Sequence, residues 1–100
     1  MVANTSRVFL VVHGFVQGVG YRAFVKEIAY KYNIKGFVRN SEDGSVEILA
    51  EGNDSDIKNF MNEINIIKRG AIEVTGVEVN LESLNEYKDI KFNDFIIKEY

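Results

Sequence analysis

The stretch Gly14-Phe15-Val16-Gln17-Gly18-Val19-Gly20-Tyr21-Arg22 sets three glycines ahead of an arginine. It lies between an apolar, β-branched run and a segment with helical periodicity, so it reads as the turn from a strand into a helix. The first turn of a helix carries four backbone N–H groups without intrahelical acceptors. A Ser, Thr, Asp or Asn side chain ordinarily caps one of them. Val19-Gly20-Tyr21 offers no such side chain, which leaves those donors for another acceptor. Gly18 and Gly20 let the backbone curl until successive N–H groups converge. The helix dipole adds partial positive charge at that point. Arg22 adds a full charge on a planar fork that fits phosphate oxygens. Residues Phe15, Val16, Gln17, Gly18, Val19, Gly20, Tyr21 and Arg22 are therefore expected to cradle one phosphate group.

Other readings of this loop compete. It could be a glycine-rich connection and nothing more. Gly18-Val19-Gly20-Tyr21-Arg22-Ala23 also fits the dinucleotide fingerprint G-x-G-x-x-G/A in a strand-to-helix context. Against that, the next strand turns straight into a hairpin, and the chain is short for two mononucleotide-binding halves. A P-loop would need Gly-Lys-Ser/Thr at its end, which is absent.

A second chemically useful side chain is Asn40. Its amide both donates and accepts, so it can orient a water without ionising. The competing reading is that Asn40 merely opens a turn. His13 is read as a strand-end residue and not as a general base. Ser41, next to Asn40, is a candidate to brace its amide.

These residues need elements to position them. Arg7 to His13 reads as a central strand, and Arg22 to Tyr32 as a helix with Phe24, Val25, Ile28, Ala29 and Tyr32 on its buried stripe. Asn33 is its stop. Lys35 to Asn40 is a second strand, Ser41-Glu42-Asp43-Gly44 a hairpin turn, and Ser45 to Glu51 a half-buried third strand. Asn53 or Asp54 can cap a second helix. Its buried face is Ile57, Phe60, Met61, Ile64 and Ile67. Ala71 to Val79 is a fourth strand whose alternation slips at Gly76, the mark of a β-bulge. Leu81 to Phe92 resists assignment, and Asp94 to Tyr100 is a short last strand.

This β-α-β-β-α-β order predicts an α+β, ferredoxin-like split βαβ sandwich. Its sheet is expected to be antiparallel in order 4-1-3-2, with a short extra C-terminal strand. Both helices cover one face, and the other face stays solvated. Strands one and two then run parallel with one strand between them, so Arg22 and Asn40 reach the same sheet edge.

Bulk properties bound the partners. The 100 residues suit a single domain over 1–100. With no cysteine, neither disulfides nor thiolate chemistry is available, and one histidine disfavours a zinc site. No metal and no cofactor are expected. The net charge of −3 and a pI near 5.1 argue against non-specific nucleic-acid or membrane binding. Met1 to Arg7 lacks the features of a signal peptide. A cytoplasmic monomer is the simplest expectation.

Gly14-Phe15-Val16-Gln17-Gly18-Val19-Gly20-Tyr21-Arg22 resembles the acylphosphatase loop signature. Gly36-Phe37-Val38-Arg39-Asn40, followed by Asp43-Gly44-Ser45-Val46-Glu47, is similar to that family's second signature. The ending from Asp94 to Tyr100 resembles its aromatic-rich terminus. The likeness is strong over Arg7 to Glu51 and looser beyond. It implies hydrolysis of a mixed carboxylic–phosphoric anhydride, a small acyl phosphate. Arg22 would be the catalytic phosphate-binding residue, and Asn40 the catalytic residue that positions water. Two positions depart from the family: Phe15, where a basic residue is frequent, and Lys68-Arg69-Gly70-Ala71, where a proline-containing stretch is usual.

Two other function classes remain open on sequence alone. One is a phosphate-ligand binding or regulatory module on the same scaffold. The other is an RNA-binding domain, suggested faintly by Lys35-Gly36-Phe37-Val38. Few aromatic and basic residues surround that stretch, and the net charge is negative.

Overall fold

β1 (Thr5–Phe15) is the expected first strand extended by two residues at each end. In the computed structural model, which describes residues 5–99, it is followed by α1 (Tyr21–Lys31), β2 (Lys35–Asn40), β3 (Val46–Asn53), α2 (Asp54–Ile64), β4 (Glu73–Val79), α3 (Leu81–Glu86) and β5 (Phe95–Lys98). Met1 to Asn4 and Tyr100, and the readings made on them, lie outside the described residues.

The five strands form one sheet in the order β4-β1-β3-β2-β5. The expected 4-1-3-2 core is present, and its pairs are antiparallel. The expectation of a purely antiparallel sheet is corrected by β5, which pairs parallel to β2. The chain crosses the far face between β4 and β5, and so enters the β2 edge running in the same direction as β2. The bulge falls where the alternation slips: His13 faces Gly76 but Gly14 faces Val74, so Thr75 is the extra residue.

Strand alternation divides the core in two. Leu10, Val12, Val38, Val46, Ile48 and Ala50 point to the face covered by α1 and α2. There they meet Tyr21, Val25 and Ala29 from α1 and Ile57, Phe60 and Ile64 from α2. Phe24, Ile28, Tyr32 and Met61 are only partly buried on this face, and Ile67 is exposed past the end of α2. α1 ends at Lys31 with Tyr32 as its C-cap, and Asn33, the expected stop, follows with a left-handed φ of 55°. α2 starts at Asn53, whose side chain accepts from the Asp56 N–H.

The opposite face is not left solvated. Phe9, Val11, Phe37 and Leu49 form a second buried cluster beneath Leu84, Tyr87 and Phe92. α3 and the turn after it thus fill the stretch that periodicity could not assign. Arg7 fastens this cover: it donates to Glu51 at 2.6 and 3.0 Å, to the Tyr87 carbonyl at 2.7 Å and to the Ile90 carbonyl at 2.8 Å. The polar members of β3 on this face are paired, Glu51 with Arg7 and Glu47 with Arg39.

Candidate active site

The glycine-rich loop joins β1 to α1 over residues 16–20. Gly18 and Gly20 have φ of 72° and 85°, a left-handed backbone that costs other residues about 1–2 kcal/mol each. A Cβ at either would meet nothing within 4 Å, so backbone angle and not crowding selects glycine there. Gly20 is the N-cap of α1 and supplies no side-chain hydrogen bond, and the first turn holds no acidic residue. Among the described residues, no protein acceptor takes the N–H of any residue from Val16 to Ala23. The loop therefore presents uncommitted donors at the positive end of the helix.

Val16, Gly18, Gly20, Tyr21, Arg22, Ala23 and Ile97 line a cavity of about 180 Å³ at this point. Five of the eight residues expected to cradle phosphate are among them. Phe15, Gln17 and Val19 are not, and the structure gives each a different place. Phe15 is the last residue of β1, faces Glu73 of β4 and is 69% exposed. The Gln17 amide donates to the Ser41 carbonyl at 2.7 Å and the Ser45 carbonyl at 2.9 Å. Val19 packs against the main core. The Tyr21 ring is buried, and its hydroxyl donates away from the loop, to the Ile64 carbonyl at 2.8 Å. Burial pushes that phenol well above its ordinary range.

Of the four arginines, Arg7 and Arg39 are held by glutamates, and Arg69 lies over the Phe24 ring. Arg22 is half-buried and, among the described residues, has no carboxylate partner and no hydrogen bond. An arginine left in this way beside uncapped helix N–H groups is suited to bind a dianion.

Asn40 ends β2 and pairs with Val46, which pairs with Val12 of β1. That register places Asn40 level with Val12, three residues before the end of β1 and two strand spacings, or about 10 Å, across the sheet from it. Asn40 does not line the cavity at Arg22. The Gln17 amide connects the two places, because both carbonyls it binds belong to the turn that follows Asn40. The Oδ1 of Asn40 is buried with no hydrogen-bond partner among the described residues. A buried acceptor without a partner costs about 1–3 kcal/mol, so a ligand or water that donates to it recovers that energy. The turn itself is held by Asp43, which accepts from the Ser45 N–H at 2.9 Å and the Ser45 hydroxyl at 2.6 Å. Ser41 contributes backbone to the turn, and no hydrogen bond joins its side chain to the Asn40 amide among the described residues.

His13 makes a surface pair with Glu78 at 2.9 Å and does not line the cavity at Arg22. No group of three or more His, Cys, Asp or Glu able to hold a metal occurs among the described residues. Ala23 and Ile97 are the cavity residues absent from the set expected to cradle phosphate; Ala23 is simply the next residue of α1, whereas Ile97 comes from β5. The signal for Ile97 was the short apolar last strand, but the parallel pairing that brings it to the loop has no local signature.

Comparison with known proteins follows this geometry. A family model described as Acylphosphatase matches residues 8–97. The chain is 43% identical over 82 residues to an acylphosphatase of Methanospirillum hungatei, covering 82% of this chain and 90% of that one. The crystal structure of acylphosphatase from Bacillus subtilis superposes with a TM-score of 0.78 at 32% identity, over 95% of this chain and 99% of that one. The chain is also 41% identical over 92 residues to a probable carbamoyltransferase HypF of Methanocaldococcus jannaschii, of which it spans 11%.

Proposed function

The chain belongs to the acylphosphatase family, and we propose that it hydrolyses acyl phosphates with the loop and Arg22 binding the phosphoryl group and Asn40 positioning water. The observation that carries this assignment is the uncapped start of α1 facing the same cavity as Arg22. The loop N–H groups and the guanidinium hold the phosphoryl oxygens and meet the charge that develops on them. Asn40 accepts from a water at Oδ1 and aims it at phosphorus, in line with the bond to the acyl oxygen. The water oxygen bonds to phosphorus as the P–O bond to the acyl group breaks, and the bonding pair leaves with the carboxylate. One water proton passes to a phosphoryl oxygen, so the products are a carboxylate and inorganic phosphate.

A carboxylate is a stable leaving group, so the reaction calls for no strong general acid. Catalysis of this kind is mainly positioning and charge stabilisation, and the proposed enzyme needs no metal. No helix among the described residues is long and apolar enough to cross a membrane. A monomer in the cytoplasm is the reading that the small acidic chain supports. The purified protein should release phosphate from benzoyl phosphate in the presence of a chelator. Turnover that appears only when a divalent cation is added would contradict the metal-free mechanism.

A further inference from the structure

We propose that Ile97 is the wall against which the acyl group of the substrate rests, and that it biases the enzyme toward acyl phosphates with a bulky apolar acyl group over acetyl phosphate. The inference rests on the phosphate site described above and adds the residue that reads the other end of the substrate.

The cavity at the loop has two chemically different parts. Arg22 and the backbone of Gly18 and Gly20 make one part cationic and rich in donors. The remaining side chains, Val16, Tyr21, Ala23 and Ile97, are apolar or present an apolar body. Val16 and Tyr21 are each 1% exposed and spent on the core, so their surfaces are already covered. Ile97 is 39% exposed and, among the described residues, is the only cavity residue that comes from outside the loop and α1. It stands level with Val38 in the parallel β2–β5 pairing. Val38 points into the core beneath α1 and α2, so Ile97 points to the same face, toward the start of α1. A single exposed isoleucine needs no explanation. One that shares a cavity with an unpaired arginine and uncommitted N–H groups forms an amphiphilic site. An acyl phosphate is amphiphilic in the same sense: the phosphoryl group takes the donors, and an apolar acyl chain covers the isoleucine.

The test compares kcat/KM for benzoyl phosphate and acetyl phosphate in the wild type, Ile97→Ala and Ile97→Val, with inhibition by inorganic phosphate measured on the same preparations. Taking both substrates on one preparation cancels any loss of folded enzyme from their ratio. The benzoyl-to-acetyl ratio should fall roughly three- to tenfold in Ile97→Ala, less in Ile97→Val, while phosphate inhibition shifts by less than about twofold. An unmoved ratio overturns the proposal. So does an equal fall for both substrates with weakened phosphate inhibition, which would make Ile97 a support for the loop. A wild type that hydrolyses neither substrate fails at the phosphate site itself, an outcome distinct from failure at Ile97.

Discussion

Asp43 shows how a side chain outside the cavity can still govern the site. Its carboxylate holds the turn after Asn40 through the hydroxyl and the N–H of Ser45. The Ser45 hydroxyl first, and then the Ser45 N–H, keep the Asp43 carboxyl below its ordinary value of 3.8. A carboxyl lowered by folding adds stability that is complete above the unfolded value and is lost as pH falls through the folded one. Asp43→Ala should therefore lower the melting temperature at neutral pH, and the gap to wild type should close below the ordinary carboxylate range. Thermal melts across acid pH measure this, and a gap independent of pH would mean that the turn does not depend on the ionised carboxylate. At this scale much of the candidate site is legible in the sequence. Arg22, Gly18 and Gly20 could be read because the missing cap and the arginine are local facts. Phe15, Gln17 and Val19 could not be separated from the other loop residues, since which of them turn outward depends on the curl of the loop over its neighbours.

The elements do the positioning, and Gln17 is the joint between two of them. β1 carries the glycine-rich loop and β2 carries Asn40, with β3 between. The Gln17 amide crosses that gap to two carbonyls of the β2–β3 turn. Gln17→Ala should lower kcat/KM by about 10- to 100-fold, because a displacement of about 1 Å between reacting groups is enough for such a loss. Steady-state kinetics measures it, and wild-type kinetics would show that loop and turn keep their spacing without the amide. The β-α-β-β-α-β order, both long helices and the bulge beside Gly76 follow from local periodicity and turn residues. β5 was recognisable as a strand, but its direction was not. A parallel partner is set by the path of the preceding chain and leaves no mark on the strand's own residues.

For the whole molecule, the sheet has two covered faces and the site lies at one edge. The far face was the larger misjudgement from sequence, because Phe9, Val11, Phe37 and Leu49 are buried there as deeply as the residues under α1 and α2. Its cover is one short helix and the irregular turn after it, whose apolar residues Leu84, Tyr87 and Phe92 follow no single period. Arg7 binds that cover to the sheet through Glu51 and two backbone carbonyls. Arg7→Ala should destabilise the fold by about 2 kcal/mol, the scale for losing hydrogen bonds from a charged donor. Urea unfolding followed by tyrosine fluorescence reads the loss, and an unshifted midpoint would show that packing alone holds the cover.

The division of labour between Arg22 and Asn40 is tested most directly by metal-free hydrolysis of benzoyl phosphate in wild type, Arg22→Ala and Asn40→Ala, with inorganic phosphate as inhibitor. Arg22→Ala should lose at least about 10²- to 10³-fold in kcat/KM, the range for one preorganised donor, and should bind phosphate weakly. Asn40→Ala should lose kcat while inhibition by phosphate persists. Arg22→Ala turning over at the wild-type rate would contradict the assigned phosphate site, and equal losses of rate and phosphate affinity in Asn40→Ala would make Asn40 a binding residue and leave the attacking water without a guide.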